Sequence, residues 1–350
     1  MFRNPMKKIL FSATALVAVV SLVLAGCGDD NDSEGASSDE KPLIVVTTNI
    51  LGDVVTNMVG DSFDVETIMP PGSDPHDFQA SAQQVQMMMS ADLLIVNGAN
   101  FEEGMLDVIE NAESDGVMIF EATSVISQLE GSDDHSDHGG HDDHDEEKDH
   151  DDHEGHGHDE EKDHDDHEGH DHGGIDPHFF TDPARMAIVA QELSEVLAAN
   201  FPDADQGFVS TANDYVQQLQ DLDSEVEETL SVISSDKRLL VTNHGVFAYF
   251  ADRYSFTILG EIIPSSSTLA SASAQQLASL AEEIKESQVK AIFADASSSD
   301  ALAQTLADEV NDVKVINLYT ESLGDPGSSG DSYIDMIRFN AEAIASALVE

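Results

Sequence analysis

Short apolar runs rich in β-branched residues alternate with stretches of helical periodicity along two parts of the chain. In the first part, strands are predicted at 42–48, 62–69, 91–97 and 117–120, with helices at 49–60, 83–90 and 105–113. In the second part, strands at 238–242, 256–263, 289–295 and 313–319 alternate with helices at 245–254, 273–287, 299–310 and 333–348. This alternation is typical of α/β folds and predicts two α/β lobes with mostly parallel sheets.

A long helical segment separates the two parts. A helix is predicted at 183–200, and apolar residues at helical spacing then predict one helix over 203–234, about 45 Å long at the α-helical rise. We therefore predict an N-terminal lobe at 42–202, a rigid linking helix at 203–235 and a C-terminal lobe at 236–350. Ligands of open α/β sheets bind beyond the carboxyl ends of the strands, which predicts a site in the cleft between the lobes.

The first 27 residues have the pattern of a bacterial lipoprotein signal peptide, with a basic start, an apolar run over 9–24 and small residues before Cys27. A transmembrane anchor is the alternative, but the run is short for a span, and the polar residues 28–41 are typical of a flexible tether. Lipidation of Cys27 predicts an extracytoplasmic protein held at the cell membrane. Because Cys27 is the only cysteine, a bound metal must then be held by nitrogen and oxygen.

Residues 131–174 contain almost no apolar side chain and cannot contribute to a core. The 13-residue sequence HDEEKDHDDHEGH occurs at 144–156 and again at 158–170. We predict a disordered insertion that gathers zinc weakly; a merely acidic spacer is the alternative, although a spacer needs no histidine. The insertion contains 12 of the 15 histidines: His135, His138, His141, His144, His150, His153, His156, His158, His164, His167, His170 and His172.

The composition is strongly acidic, with 14 Lys and Arg against 70 Asp and Glu and a formal net charge of -56. Phosphate binding needs the opposite sign, so nucleic acid is excluded as a partner. The negative field instead favours encounters with cations.

The three remaining histidines stand apart from the insertion and from one another. His76 and His178 each end an Asp-Pro-His triplet, and His244 follows the predicted strand at 238–242. All three fall in loops that precede helices, where side chains can point into an interlobe cleft from a rigid scaffold. A single histidine of this kind is often satisfied by local hydrogen bonds, but three together predict a metal site.

Six segments of the chain, taken together, match the sequence pattern of a known protein family. They are PPGSDPHDFQ at 70–79, ADLLIVNG at 91–98, DPHFFTDP at 176–183, LLVTNHGVFAYFADRYSF at 239–256, IFADASSS at 292–299 and LYTESLGDPGSSGDSYIDMIRFN at 318–340. In these segments the chain resembles the solute-binding lipoproteins of bacterial zinc and manganese ABC transporters. The resemblance covers nearly the whole chain after the signal peptide and implies two α/β lobes joined by one long helix, with a metal held between the lobes.

The resemblance implies a set of four ligands. His76 and His178 correspond to the ligands of the first lobe and His244 to the third ligand, a position that holds glutamate in manganese-type members. The fourth ligand of many relatives is an aspartate in a TDS-like segment. Here the segment reads TES, so Glu321 is the candidate, with Asp295 as the alternative.

Three imidazoles and one carboxylate are a ligand set that suits Zn²⁺, whereas Mn²⁺ usually prefers more oxygen and remains the alternative. Imidazole must be neutral to bind, so binding should weaken as the pH falls through about 6.5. The residues 131–174 correspond to the His-rich loop of zinc-type members.

The resemblance implies a monomeric, membrane-tethered receptor that passes its metal to an ABC permease without covalent chemistry. A zinc hydrolase is a second hypothesis, but the chain has no HExxH motif, and a fourth protein ligand would fill the position that catalysis needs. A metal-buffering or adhesive surface lipoprotein, in which the insertion is the active part, is a third hypothesis.

Overall fold

Two four-stranded sheets form the framework of the computed structural model, which describes residues 41–131, 174–311 and 313–349. The first sheet has the order β2-β1-β3-β4, and all its neighbouring strands are parallel. Its strands are Leu43–Val46 (β1), Asp64–Thr67 (β2), Leu93–Val96 (β3) and Ile119–Glu121 (β4), accompanied by the helices Asn49–Val59 (α1), Ala82–Met89 (α2) and Leu106–Ser114 (α3). The central strands β1 and β3 are apolar and buried, as expected for strands covered on both faces.

Two helices connect this sheet to the next one. Helix α4 spans Pro183–Asn200 and starts with a proline behind the capping side chain of Asp182, which accepts hydrogen bonds from the backbone of Ala184 and Arg185. Helix α5 spans Phe208–Leu230 and buries one face, with Tyr215, Leu219 and Leu222 among its inward residues. These spacings of three and four residues place apolar side chains on one side of the helix.

The second sheet repeats the topology of the first, with the order β6-β5-β7-β8 and parallel pairing throughout. Its strands are Leu239–Thr242 (β5), Thr257–Glu261 (β6), Ala291–Asp295 (β7) and Lys314–Leu318 (β8), accompanied by the helices Ala248–Tyr254 (α6), Ala274–Ser287 (α7), Ala301–Val310 (α8) and Tyr333–Val349 (α9). The predicted α/β fold with parallel sheets is confirmed.

The two sheets share one apolar core. A single cluster of buried side chains includes Ile44 and Leu93 from the first sheet, Leu240 and Phe293 from the second, and the inward face of α5. Helix α5 packs against α1, α4 and α9. Helix α9 begins with Tyr333, whose hydroxyl donates to the carbonyl of Phe180. The sheets are therefore held together by buried apolar area as well as by the linking helix.

Helix α5 is shorter than the helix predicted over 203–234, at about 35 Å for 23 residues. Residues 201–207 form turns instead, in which the side chain of Gln206 binds the carbonyl of Phe201. At the other end, the guanidinium of Arg238 donates to the carbonyls of Leu230 and Ile233. The division into lobes at 42–202 and 236–350 remains a prediction.

Several sequence predictions fall outside the described residues: the signal peptide with Cys27, the tether, and the 12 histidines of the insertion. The flanks of the insertion are described, and the amide of Gly131 donates to the carbonyl of Gly174 at 2.9 Å beside an antiparallel bridge between Glu130 and Ile175. Across the described segments, no helix combines the length and apolar character needed to cross a membrane.

Candidate metal centre

The two Asp-Pro-His triplets form the same kind of turn. In the first, the carboxylate of Asp74 accepts the backbone N–H of His76 at 3.0 Å. In the second, Asp176 accepts the backbone N–H of His178 at 2.8 Å. An aspartate that binds the amide two residues later makes a tight turn, and the intervening proline fixes one backbone angle. Each triplet therefore presents its histidine from a rigid loop.

The other two candidate side chains follow strands of the second sheet. His244 comes two residues after the end of β5, and its carbonyl accepts the hydroxyl of Thr242. Glu321 comes three residues after the end of β8. His76 likewise follows β2 in the first sheet. All three lie beyond the carboxyl ends of parallel strands, the edge at which α/β sheets bind ligands.

The four side chains meet at one point. A ligand atom from each of His76, His178, His244 and Glu321 lies within 4.8 Å of the other three, and all four residues are buried. Glu321 Oε1 is 2.9 Å from Nε2 of His76, 3.3 Å from Nε2 of His178 and 3.1 Å from Nε2 of His244. Three imidazoles and one carboxylate thus converge from both sheets. Such a group of nitrogen and oxygen donors can hold a divalent cation.

Two further carboxylates contact the Nδ1 atoms of two of the imidazoles, on the side of each ring away from Glu321. Glu103 lies 2.9 Å from Nδ1 of His76, and Asp176 lies 2.8 Å from Nδ1 of His178. A partner on Nδ1 directs Nε2 toward the metal. Glu103 can approach because the next residue is Gly104, where a Cβ would collide with the carbonyl oxygen of Phe78. Nδ1 of His244 has no hydrogen-bond partner among the described residues.

The electrostatics of the cluster follow from burial and from these carboxylates. Burial works against a charge on His76, but Glu103 and Glu321 outweigh it and raise the pKa of the imidazole to about 10. Burial also opposes protonation of His178, whose pKa is nevertheless raised by the charge of Asp176. Although burial favours the neutral acid, the histidines hold the pKa of Glu321 well below its usual value. Glu321 is therefore an ionised oxygen donor.

Aromatic rings close off one side of the cluster. The ring centroid of Phe101 lies 5.1 Å from that of His76 and 5.5 Å from that of His178, and Phe180 lies 5.9 Å from His178. Both phenylalanines are buried. An apolar wall lowers the local dielectric and strengthens the attraction between the carboxylate and a cation.

Asp295, the alternative fourth ligand, is not brought into the cluster. Its carboxylate accepts hydrogen bonds from the backbone and the hydroxyl of Ser297, which occupy both of its oxygens. Burial, together with the charge of Glu321, raises the pKa of Asp295. By contrast, Glu321 Oε2 is buried and has no hydrogen-bond partner in the part of the chain that the structure describes. The geometry therefore favours Glu321 as the fourth donor.

The comparison with family models adds an independent observation. Residues 44–347 match the family ZnuA, described as zinc-uptake complex component A, periplasmic. The chain belongs to the ZnuA family. The family is a solute-binding, non-enzymatic component of transport, so this ZnuA-family chain is an extracytoplasmic metal-binding receptor of an ABC transporter.

Curated relatives of this ZnuA-family chain include manganese-binding proteins. It is 26% identical to the manganese ABC transporter substrate-binding lipoprotein PsaA of Streptococcus anginosus, over 98% of this chain and 99% of the relative. It is also 26% identical to the manganese-binding lipoprotein MntA of Halalkalibacterium halodurans, with the same coverage. The relatives support the predicted lipoprotein character and leave the identity of the metal open.

Solved structures reproduce the fold. The periplasmic zinc-binding protein TroA of Treponema pallidum superposes with a TM-score of 0.69 at 25% identity, over 88% of this chain and 99% of that chain. A Mn-bound periplasmic metal-binding protein of Candidatus Liberibacter asiaticus gives a TM-score of 0.69 at 21% identity, over 88% and 100%. The second similarity concerns the fold alone.

The carboxylates that support the candidate ligands in this ZnuA-family chain were not predicted from the sequence. Asp176 had a local signal, because both lone Asp-Pro-His triplets place an acid two residues before the histidine. Glu103 had no such signal, since it lies 27 residues from His76 and the two meet only in the folded chain.

Proposed function

We propose that this protein captures Zn²⁺ outside the cytoplasm and delivers it to an ABC permease. The observation that carries the proposal is the buried group of three imidazoles and one carboxylate, with ligand atoms within 4.8 Å of one another. His76, His178, His244 and Glu321 are the proposed ligands, and the zinc ion is the cargo. The match to a zinc-uptake family supports the same assignment.

The donor set favours zinc over manganese on chemical grounds. Imidazole nitrogen suits Zn²⁺, which binds more tightly than Mn²⁺ at sites of this kind in the usual affinity order. Manganese is the second candidate because relatives such as PsaA of Streptococcus anginosus are named for it. The free Oε2 of Glu321 could supply an additional oxygen to such an ion. Because the site has three nitrogen donors and would gain only one oxygen, Zn²⁺ remains the preferred ion.

A competition experiment tests the choice of metal. The purified protein is equilibrated with Zn²⁺ and Mn²⁺ at buffered free concentrations, and the bound metals are measured by elemental analysis. We expect a preference for Zn²⁺ of at least about tenfold, in line with the affinity order. The variant His244→Glu, which replaces a nitrogen with oxygen, should shift the ratio toward Mn²⁺. Retention of Mn²⁺ by the wild-type protein at equal free Zn²⁺ would contradict the zinc assignment.

Removal of single ligands tests the proposed set. We expect His76→Ala, His178→Ala, His244→Ala and Glu321→Ala each to lose the tight site, because each removes one of four donors. Asp295→Asn is the matched control, since Asp295 is a buried carboxylate beside the site whose oxygens are bound to Ser297. Isothermal titration with a competing chelator measures the tight site apart from weak binding. Equal loss in the control would argue against Glu321 as the fourth ligand.

The insertion is proposed to act as an auxiliary collector of zinc, with Cys27 as a lipid anchor and the receptor as a monomer. Removing residues 132–173 leaves Gly131 and Gly174 to be joined, and these two already share a hydrogen bond. The receptor function predicts that one tight zinc site survives this deletion while weak binding falls. Loss of all zinc binding would favour the metal-buffering alternative.

Mass spectrometry of the membrane-extracted protein tests the lipid on Cys27.

A further inference from the structure

Asn49 makes hydrogen bonds on both sides of the metal site. Its side-chain amide donates to the carbonyl of Pro70 at 3.1 Å and to the hydroxyl of Ser322 at 2.9 Å. Its carbonyl oxygen accepts the backbone N–H of Leu323 at 2.7 Å. Pro70 lies in the loop that leads from β2 to His76, and Leu323 follows Glu321 by two residues. One buried side chain thus connects the loop that carries His76 to the loop that carries Glu321.

Ser322 completes the connection. Its hydroxyl accepts the backbone N–H of Gly72 at 2.7 Å as well as the amide of Asn49. Asn49 and Gly72 belong to the part of the chain that forms the first sheet, whereas Ser322 and Leu323 follow β8 of the second. The contact therefore joins the segments around Asn49 and Gly72, which belong to the first sheet region, to the loop after β8 of the second sheet. We call Asn49 and Ser322 the interlobe clamp.

The clamp is not needed to start helix α1. Asn49 is the first residue of that helix, but the helix is capped by the preceding residue, Thr48, whose side chain accepts the backbone N–H of Leu51. The amide of Asn49 is directed away from its own helix, toward Pro70 and Leu323. A buried amide costs free energy unless its hydrogen bonds are made, so this side chain stabilises only an arrangement in which the two loops are close together.

We propose that Asn49 and Ser322 are positioning residues that hold the His76 loop against the Glu321 loop and thereby slow the release of the metal. None of the bonds in the clamp involves a ligand atom, so the clamp can hold the two loops together before the metal arrives. Preorganised ligands lose less freedom on binding. Release to a permease then requires the clamp to break. This inference rests on the proposed receptor function.

Dissociation kinetics test the clamp. The full-length protein is loaded with Zn²⁺ and mixed with excess chelator, and the rate of zinc loss is followed by stopped flow. The matched control is Asn340→Ala, because Asn340 is equally buried and binds both the amide and the carbonyl of Tyr319 within the second sheet region. We expect Asn49→Ala to release zinc about ten times faster or more, and Asn340→Ala to stay within about twofold of the wild-type rate, at comparable losses in thermal stability.

Two further readouts separate positioning from general destabilisation. Ser322→Ala should accelerate release as Asn49→Ala does, and the double variant should be no faster than the faster single variant. The visible absorption of bound Co²⁺, which reports coordination geometry, should change in Asn49→Ala and remain unchanged in Asn340→Ala. If Asn49→Ala does not fold, Ser322→Ala carries the same comparison with Asn340→Ala.

Unchanged release in a folded Asn49→Ala protein would overturn the clamp, as would equal acceleration by Asn340→Ala. Either result would leave the receptor function intact, because wild-type zinc binding is measured in the same experiment. Failure of the wild-type protein to hold a tight metal ion would instead overturn the receptor function, and the clamp with it.

Discussion

Two carboxylates outside the proposed ligand group determine how the imidazoles of His76 and His178 are oriented. Glu103 and Asp176 each bind an Nδ1 atom, which leaves Nε2 of His76 and His178 directed at Glu321. The backbone before His178 is held by two more hydrogen bonds. The side-chain amide of Asn97 donates to the backbone carbonyl of Pro177, and the hydroxyl of Tyr249 donates to the backbone carbonyl of Asp176. The ligand orientation is thus built into hydrogen bonds that do not involve the metal.

Replacing Glu103 should weaken metal binding without removing a ligand. In Glu103→Gln the carboxylate that orients His76 is lost, and we expect zinc affinity to fall about 10- to 100-fold, the usual effect of removing a supporting partner of a ligand. Titration in the presence of a competing chelator measures the change. Glu110→Gln is the control, because it removes the same charge from an exposed position on the neighbouring helix α3. If both variants lowered the affinity equally, Glu103 would act only through the net charge of the protein and not by orienting His76.

Metal binding should displace protons because the pKa of His76 is raised to about 10. At pH 7 to 8 the imidazole is protonated in the metal-free protein and must lose its proton to bind. Affinity should therefore rise with pH up to that value, which corrects the pH of about 6.5 expected from an unperturbed histidine. Calorimetric titrations at one pH in buffers of different ionisation enthalpy count the released protons. Fewer released protons are expected in Glu103→Gln, where one carboxylate that raises the pKa is gone.

The stability of the metal-free protein should fall as the pH rises, whereas the affinity for metal should increase. A raised folded-state pKa means that the ion pairs of His76 stabilise the fold fully below pH 6.5, the ordinary value, and that this contribution is lost as the pH rises toward about 10. The difference in unfolding free energy between the wild-type protein and Glu103→Gln should shrink over that interval. Urea unfolding in the presence of a chelator measures it. A difference independent of pH would contradict the assignment.

At the scale of elements, one arginine supports the end of helix α5. Arg238 donates to the carbonyls of Leu230, Ile233 and Tyr254, and its guanidinium lies over the ring of Phe256 at 5.5 Å. The last carbonyls of a helix have no partner within the helix and need one from outside. This side chain therefore connects the end of α5 to the segment before β6.

Removal of this side chain should destabilise the whole fold. For Arg238→Ala we expect a loss of about 2 to 4 kcal/mol in the free energy of unfolding, since three charge-assisted hydrogen bonds disappear. Arg238→Lys should recover only part of it, because an ammonium cannot reproduce the planar fork. Lys237→Ala, at an exposed neighbouring position, should change stability by less than about 0.5 kcal/mol. Denaturant unfolding curves compare the three variants.

At the scale of the whole molecule, the shared apolar core should make the two sheets unfold together. Ile44 and Phe293, from different sheets, belong to one buried cluster. We therefore expect a single transition in differential scanning calorimetry of the metal-free protein. Saturating zinc should shift that transition upward as a unit, by about 2.7 kcal/mol in stability at a free metal concentration of 100 times Kd.

Two separate transitions would contradict this expectation and would mean that the sheets form independent domains. The variant His178→Ala is the control for the metal effect. It should still give one transition but lose the shift produced by zinc, because it lacks one ligand of the tight site while keeping the core.

Much of the architecture was determined by the sequence alone. Each predicted strand and helix in the described residues has a counterpart, because apolar periodicity and β-branched composition are local properties of the chain. The three lone histidines could also be identified, since isolated histidines in loops after strands are visible in the sequence. The family resemblance supplied Glu321, and the structure places its oxygen among the three Nε2 atoms.

Only the tertiary structure decided the rest. The preference for Glu321 over Asp295 as the proposed fourth ligand rests on which carboxylate is bound by its own loop, since Ser297 donates to both oxygens of Asp295. Glu103 and Asn49 act on residues 27 and 273 positions away in the chain, through hydrogen bonds that form when loops from different strands meet. Local patterns determine which elements form, whereas long-range packing determines which polar atoms are close enough to bind one another.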